Sequence, residues 1–167
     1  NVHIRRKPGI LPSKAADNLF WLGRYLERGE ATARLVRAAL GSSIEVDSGQ
    51  AFSRLTLDKA MTILAGWGAL DTEKNDIVSL SIAELCQAAV SDQRQAGSLV
   101  RLFDNARSIG RNLRDRLAVD FWSLLRDTPF VMLSGSAEHV FDTCTAMVRH
   151  FAAISGFAAE NMGQSHA

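Results

Sequence analysis

Residues 15–40 read AADNLFWLGRYLERGEATARLVRAAL and carry an unbroken helical pattern of apolar residues. The pattern advances by four and three residues in turn, through Ala15, Leu19, Leu22, Leu26, Gly29, Ala33, Val36 and Leu40. Because residues three and four apart share one face of a helix, this spacing predicts a long α-helix. Phe20, Trp21 and Tyr25 lie off the stripe, so the first half of the helix is apolar on most of its circumference. Such a helix is expected in the middle of a bundle.

The rest of the chain repeats this kind of pattern in shorter segments. Apolar residues recur at steps of three and four between polar stretches, which predicts helices at residues 14–40, 51–66, 77–91, 99–113, 119–126 and 136–160. Ser13 and Gly41 are the expected ends of the first helix, and Asp76 and Ser98 are expected caps of later ones. No alternating run is long enough for a sheet. The sequence therefore predicts an all-α, up-and-down bundle of five or six helices, with the first, fourth and last at its centre.

The chain has the size of one domain. Residues 1–12 contain two prolines and a glycine, which prevent a helix, so we expect an extended lead-in or linker there. The helical bundle is expected over residues 13–162, with a short tail at 163–167. Because the chain begins at Asn1 rather than Met, we expect it to be part of a longer protein.

Composition excludes several classes of partner. With 47% hydrophobic residues, 22% charged residues and a net charge of +1, the chain resembles an ordinary soluble domain and offers no bulk charge for nucleic acid or an anionic membrane. No apolar run reaches the roughly 18 residues that span a bilayer. The two cysteines, Cys86 and Cys144, both lie in apolar helical segments, so we expect buried free thiols and a cytoplasmic protein.

The first candidate site is the charged set on the first helix. Arg24 and Glu27 are three residues apart, Glu30 and Arg34 are four apart, and both pairs can touch on one helix. One interpretation is a salt bridge that fixes the register of packed helices. The other is a polar site inside the bundle, with Glu27 as base or ligand and Arg24 or Arg28 binding an anion.

The second candidate is a row of arginines on the fourth helix. Arg107, Arg111 and Arg114 are spaced by four and three residues, so they share one face of a continuous helix. Three guanidinium groups in a row can bind carboxylates or phosphates. The alternative is a solvated face on which Asp104 and Asp115 offset part of the charge.

No metal site or cofactor is expected. His139 and His150 are eleven residues apart, about three helical turns, which is too far to share an ion. No carboxylate and histidine have the spacing found in di-iron bundles, and phosphate-binding loops, a nucleophile elbow and a CxxC pair are absent from the sequence. The sequence contains no complete catalytic set.

Three stretches resemble the bacterial alpha-E domain family. DNLFWLGRYLER at Asp17–Arg28 is similar to its signature, which includes the Glu-Arg motif that gives the family its name. RNLRDRLAVDFW at Arg111–Trp122 resembles the Arg-rich second motif, and FAAISGFAAENM at Phe151–Met162 resembles the third, with Glu160 and Asn161. The resemblance adds Asp115, Glu160 and Asn161 to the candidate polar site.

The resemblance implies a helical domain that accompanies a circularly permuted ATP-grasp ligase, in cis or in trans, and of which this chain is the first half. The favoured interpretation is a non-catalytic accessory domain of an amide-ligase system that makes or modifies peptides. It would hold a small peptide or anionic ligand, or dock the ligase. The alternative is a catalytic helical domain with a site around Glu27 and the arginines of the first and fourth helices.

Two structural expectations follow. Glu27 should be mostly buried and paired with an arginine, so that Glu27→Ala costs about 3–5 kcal/mol. Half of a bundle leaves an apolar face uncovered, and we expect two copies of the chain to cover it through a two-fold contact of at least about 1,000 Å². A water-filled pocket shared by Glu27, Arg24 or Arg28, and Arg111 would indicate a ligand site instead of a sealed bridge.

Overall fold

The helical spacing of the sequence is realised in six α-helices in a computed structural model, which describes residues 12–47, 53–71, 81–127 and 136–165. Side-chain surroundings are described within residues 12–41, 57–71, 81–127 and 136–158. The helices are α1 (Ser13–Asp47), α2 (Ser53–Gly66), α3 (Ile82–Ser91), α4 (Leu99–Asn112), α5 (Val119–Arg126) and α6 (Ala137–Ser165), with a 3-10 turn at Arg114–Arg116. No strand occurs in the described ranges, so the predicted all-α helical bundle is confirmed.

The long helix α1 lies at the centre of the bundle. It packs against α2, α3, α4 and α6, and its contacts with α4 and α6 are the most extensive in the structure. The main core is formed by the C-terminal half of α1 together with fully buried side chains of the surrounding helices, among them Leu64, Leu85, Val90, Leu99, Val140 and Met147. Ala33, Val36 and Leu40 of the predicted stripe all belong to it.

A glycine of α1, Gly29, allows α6 to pack closely against it, whereas Gly41 makes an ordinary contact. A Cβ atom on Gly29 would lie 2.6 Å from the ring of Phe151, and one on Gly41 would lie 3.8 Å from the ring of Phe141. As the numbers rise along α1 they fall along α6, so the two helices are antiparallel. The prediction that Gly41 ends the first helix is wrong: α1 continues to Asp47. Gly41 keeps an ordinary negative φ, and a glycine ends a helix efficiently only in the left-handed conformation.

Serine caps fix the starts of α3 and α4. The Ser81 hydroxyl accepts a hydrogen bond from the Glu84 N–H, and the Glu84 carboxylate accepts one from the Ser81 N–H, which is a complete capping box. α3 therefore begins at Ile82 and not at residue 77 as expected; the expected cap Asp76 lies outside the described residues. The predicted cap Ser98 is confirmed, since its side chain accepts from the Arg101 N–H.

The end of the chain differs from prediction in length. α6 was expected to end near residue 160 and extends to Ser165. The expected lead-in at residues 1–12 lies almost wholly outside the described residues. Within those that are described, no helix is both long and apolar enough to cross a bilayer.

The N-terminal half of α1 belongs to a smaller core. Ala15 and Leu22 pack with Leu113, Trp122 and Leu125 from the segments between α4 and the end of α5, and Ala106 completes this cluster. Two large apolar residues here are exposed, Phe20 by 60% and Trp21 by 49%. The expectation that this part of the helix is surrounded by a bundle is therefore wrong for the described chain, because no described helix covers that side.

Candidate functional site

The N-terminal half of α1 forms one wall of a cavity of about 460 Å³. The opposite wall comes from the turn after α2 and the turn before α4. We name this cavity the Glu-Arg cleft; its lining residues are Trp21, Arg24, Tyr25, Glu27, Arg28, Ala31, Trp67, Gly68, Ala96, Gly97 and Leu102. It contains three of the residues that the sequence marks as a candidate site, Arg24, Glu27 and Arg28.

The helical repeat places the cleft residues of α1 on one face. Trp21, Arg24, Arg28 and Ala31 advance by three, four and three residues, the same spacing as the core stripe but offset around the helix. Ala31 is small, so it leaves room for the opposite wall. This second stripe combines an aromatic ring with two guanidinium groups.

Aromatic rings hold the side chains of this face in place. The Arg28 guanidinium carbon lies 4.7 Å from the centre of the Trp67 ring, and the Arg28 side chain is half-buried. Such a cation–π contact stabilises by about 0.5–2 kcal/mol and leaves the guanidinium N–H groups able to donate. The rings of Trp21 and Tyr25 lie 6.0 Å apart on the same wall. The cleft therefore offers fixed aromatic surface beside a positioned cation.

The far wall is made of backbone from two turns. The Gly97 N–H donates to the Gly68 carbonyl at 3.0 Å, which joins the turn after α2 to the turn before α4. Gly68 has φ = 78°, a conformation that favours glycine. A Cβ atom on Gly97 would lie 2.1 Å from the Trp67 carbonyl oxygen, so only glycine fits at this crossing.

Glu27 differs from the expectation. Its side chain is exposed, and within the described residues it forms no ion pair. Arg24 and Arg28 likewise form no ion pair within the described residues. By contrast, the second predicted pair is confirmed, because Arg34 and Glu30 form an ion pair at 2.9 Å. A buried bridge that fixes helix register is therefore wrong for Glu27, and the Glu-Arg dipeptide lies at the surface of an open cleft.

The arginines of the fourth helix do not form a row. α4 ends at Asn112 and Arg114 lies in the following 3-10 turn, which breaks the shared face. Arg107 forms an ion pair with Asp104 and lies 5.5 Å from the Phe103 ring, as the solvated-face alternative predicted for Asp104. Arg111 is exposed and lines neither the Glu-Arg cleft nor the groove described below.

Asp115 does not line the cleft. Asp115 is exposed in the 3-10 turn. Glu160 and Asn161 are part of α6, and their side chains fall outside the described ones. The structure thus brings Arg24, Glu27 and Arg28 together, without Arg111.

A second cavity of about 660 Å³ lies on the other side of α1, and we name it the apolar groove. Its walls come from α1, from the segment between the 3-10 turn and α5, and from α6. The lining residues are Leu19, Leu22, Gly23, Leu26, Glu27, Glu30, Arg116, Leu117, Ala118, Phe121, Ile154, Ser155 and Ala158. Glu27 lines both cavities, so it lies on the crest of α1 that separates them.

Both cysteines are free and lie in the main core, remote from either cavity. Burial raises the pKa of the Cys86 thiol to about 12, and the nearby Cys144 adds to that rise. Burial likewise raises the pKa of Cys144 to about 12. Among the described residues, no three histidine, cysteine or acidic side chains converge as a metal site would require.

The sequence did not reveal the far wall of the cleft. Trp67 lies between Gly66 and Gly68, a pattern that indicates only the end of a helix. The available signal was a tryptophan between two glycines outside any helix, where its ring has no helix face to pack on. Gly97 carried no signal, because its role depends on a turn 29 residues earlier in the chain.

Comparison with known proteins identifies the family. Residues 11–167 match the model of Alpha-E, described as a predicted alpha-helical domain with a conserved ER motif. The chain belongs to the Alpha-E family. Its sequence contains a single Glu-Arg dipeptide, Glu27–Arg28, which is therefore the ER motif of this Alpha-E domain. Searches of curated proteins and of solved structures found no match.

Proposed function

We propose that this Alpha-E domain is a non-catalytic binding module of a bacterial, cytoplasmic ATP-grasp amide-ligase system, in which the Glu-Arg cleft holds a short peptide by its carboxylate. The observation that supports it is the pair Arg24 and Arg28. Neither has an acidic partner among the described residues, and Arg28 is held over Trp67 within the cleft. The link to an ATP-grasp ligase rests on the resemblance of the sequence motifs.

The chemistry of the cleft favours a carboxylate attached to an apolar body. Two guanidinium groups one helical turn apart can each donate paired N–H groups to a carboxylate. Trp21, Tyr25 and Trp67 offer flat surface for the neighbouring side chain of a peptide, and Tyr and Trp are effective in recognition for this reason. A volume of about 460 Å³ is within the range of small-molecule sites.

The same lining argues against a catalytic role. Among the described residues, Glu27 is the only carboxylate that lines the cleft, and no histidine, cysteine, serine or lysine lines it. A general base acts from a fixed position within reach of the proton it takes, and the exposed Glu27 has no ion-pair partner among the described residues to hold it there. Binding rather than bond-making is therefore the function that the cleft supports.

Titration of short peptides tests the proposal, with tryptophan fluorescence and calorimetry as readouts. We expect peptides with a free C-terminal carboxylate to bind at least about tenfold more tightly than their C-terminal amides. Arg28→Gln should remove that preference. The matched control is Arg111→Gln, an exposed arginine outside the cleft, which should keep it. Equal affinity for acid and amide, or equal losses in the two variants, would contradict the proposal.

A second measurement addresses the ligase. When the domain is supplied with its ATP-grasp partner, Arg28→Gln should raise KM for the peptide and leave kcat unchanged, since only substrate holding is lost. A fall in kcat with unchanged KM would favour the catalytic alternative.

A further inference from the structure

The apolar groove is not used by the proposed function. It lies on the opposite side of the α1 crest from the Glu-Arg cleft and combines leucines of α1 with Ile154 and Ala158 of α6. Leu19, which lines the groove, is exposed by 36%, and the neighbouring Phe20 is exposed by 60%. Contiguous exposed apolar surface with a polar rim usually marks an interaction site.

We propose that the groove binds the N-terminal half of α1 from a second copy of this chain, in a two-fold symmetric contact. The reason is that the molecule carries both the groove and a matching ridge. Leu19 and Phe20 stand out from α1, and Gly23, one turn later, has no atom within 4 Å of where its Cβ would lie. A glycine with open space above it lets a second helix approach closely.

In the proposed dimer the two-fold axis runs perpendicular to α1 near Gly23, so the two α1 helices are antiparallel and cross there. Each copy then inserts its Leu19 and Phe20 between the other copy's α1 and α5, and the same patch serves both partners. Antiparallel helices bury such apolar residues over several turns, which suits the length of the groove along α1.

The charges at the rim agree with this arrangement. Arg116 follows Leu113, which packs in the small core with Ala15 and Leu22, so Arg116 lies at the level of the first turns of α1. In an antiparallel crossing at Gly23, Glu27 of one copy reaches the level of Leu19 in the other. Each Glu27 thus meets the Arg116 of the other copy, and neither residue has an ion-pair partner among the described residues.

Sedimentation equilibrium of the wild type and of two glycine variants tests the proposal. Gly23→Leu fills the groove without a clash in its own chain, because nothing lies within 4 Å of the added Cβ. Gly156→Leu is the matched control: it is an exposed glycine of α6 with equally open space, outside the groove. We expect the wild type and Gly156→Leu to dimerise at micromolar concentration, and Gly23→Leu to raise the dimer Kd at least about tenfold. Circular dichroism confirms that each variant keeps its helices.

Variants with reversed charges at Arg116 and Glu27 test whether the occupant of the groove is a second copy of this chain. Arg116→Glu and Glu27→Lys should each weaken the dimer, and the double variant should recover most of the affinity, because the exchange restores an oppositely charged pair on each side of the two-fold axis. A wild type that stays monomeric, equal Kd values for the two leucine variants, or a double variant weaker than either single one would overturn the proposal. Peptide binding at the Glu-Arg cleft is measured separately with Gly23→Leu, which lies outside that cleft.

Discussion

The two halves of α1 share one apolar spacing and have different surroundings. From Ala33 to Leu40 the stripe is buried in the main core, with Ala33, Val36 and Leu40 each at 0% exposure. From Leu19 to Glu30 the same spacing gives a helix with a cavity on either side and exposed aromatic residues. The periodicity therefore fixes which face of a helix is apolar, whereas the number of helices that pack around it decides whether that half stabilises the fold or presents surface to a ligand.

The largest predicted effect is the low reactivity of the two thiols that lie in the main core, which the C-terminal half of α1 helps to form. Cys86 and Cys144 lie in the main core, and with a pKa of about 12 only on the order of 10⁻⁴ of either is thiolate at pH 8. We expect the native protein to react with an aromatic disulfide reagent at least roughly a thousandfold more slowly than the unfolded chain. Reaction of either thiol at the rate of the unfolded chain would show that the main core is open.

The same pKa values predict the direction of alkaline stability. The native state keeps its thiol protons above the ordinary thiol pKa of 9.0, so it binds more protons than the unfolded state there. The free energy of unfolding should therefore fall as the pH rises from about 9 towards 12. Replacing both cysteines by alanine should flatten this dependence, as measured by denaturant titration at several pH values.

The next largest difference is expected in the stability lost when one side chain is truncated in each half of α1. Leu40→Ala leaves a cavity in the main core and should cost about 2–5 kcal/mol. Phe20→Ala removes a larger side chain and should change stability by no more than about 0.5 kcal/mol, because Phe20 is 60% exposed. Urea denaturation at one low protein concentration compares them. Equal losses would mean that the N-terminal half is covered in solution by something other than the described helices.

Two glycines of α1 should respond to alanine with opposite signs. Gly29→Ala forces a methyl group to within 2.6 Å of the buried Phe151 ring and should destabilise by about 1–3 kcal/mol. Gly23→Ala meets open space and should stabilise by about 0.5–1 kcal/mol, because alanine favours the helix. Thermal melts of the two variants measure the difference, and a loss in both would contradict the open environment of Gly23.

The smallest effect is expected at the family motif itself. Because Glu27 is exposed and unpaired among the described residues, Glu27→Ala should change the free energy of unfolding by less than about 0.5 kcal/mol, in place of the 3–5 kcal/mol expected of a buried partner. A loss of several kcal/mol in urea denaturation would instead support the interpretation of Glu27 as a buried partner in a salt bridge between packed helices.

Local signals predicted the helices well. The helices α1, α4 and α6, the cap at Ser98 and the Glu30–Arg34 pair all depend on residues within one or two turns of each other, and each is confirmed. The prediction for Gly41 was wrong because a glycine ends a helix efficiently only in the left-handed conformation, and the sequence alone does not give the φ of Gly41.

The sequence predicts only one of the two walls of the cleft. Its α1 wall follows from the spacing of Trp21, Arg24 and Arg28, but its other wall depends on two turns meeting in space, which no local pattern encodes. The burial of Glu27 was wrong for a related reason. Apolar neighbours in sequence indicate burial only where another helix packs over them, and none of the described helices covers that crest.

The hydrogen bond from the Gly97 N–H to the Gly68 carbonyl makes the far wall of the cleft a fixed surface instead of a movable lid. Its two turns are joined before a ligand arrives, and the crossing at Gly97 leaves no space for them to slide past one another. A ligand therefore meets a surface that has already lost its conformational entropy, and association requires no rearrangement step. The observed association rate should rise linearly with ligand concentration and reach no plateau, as for a rigid template.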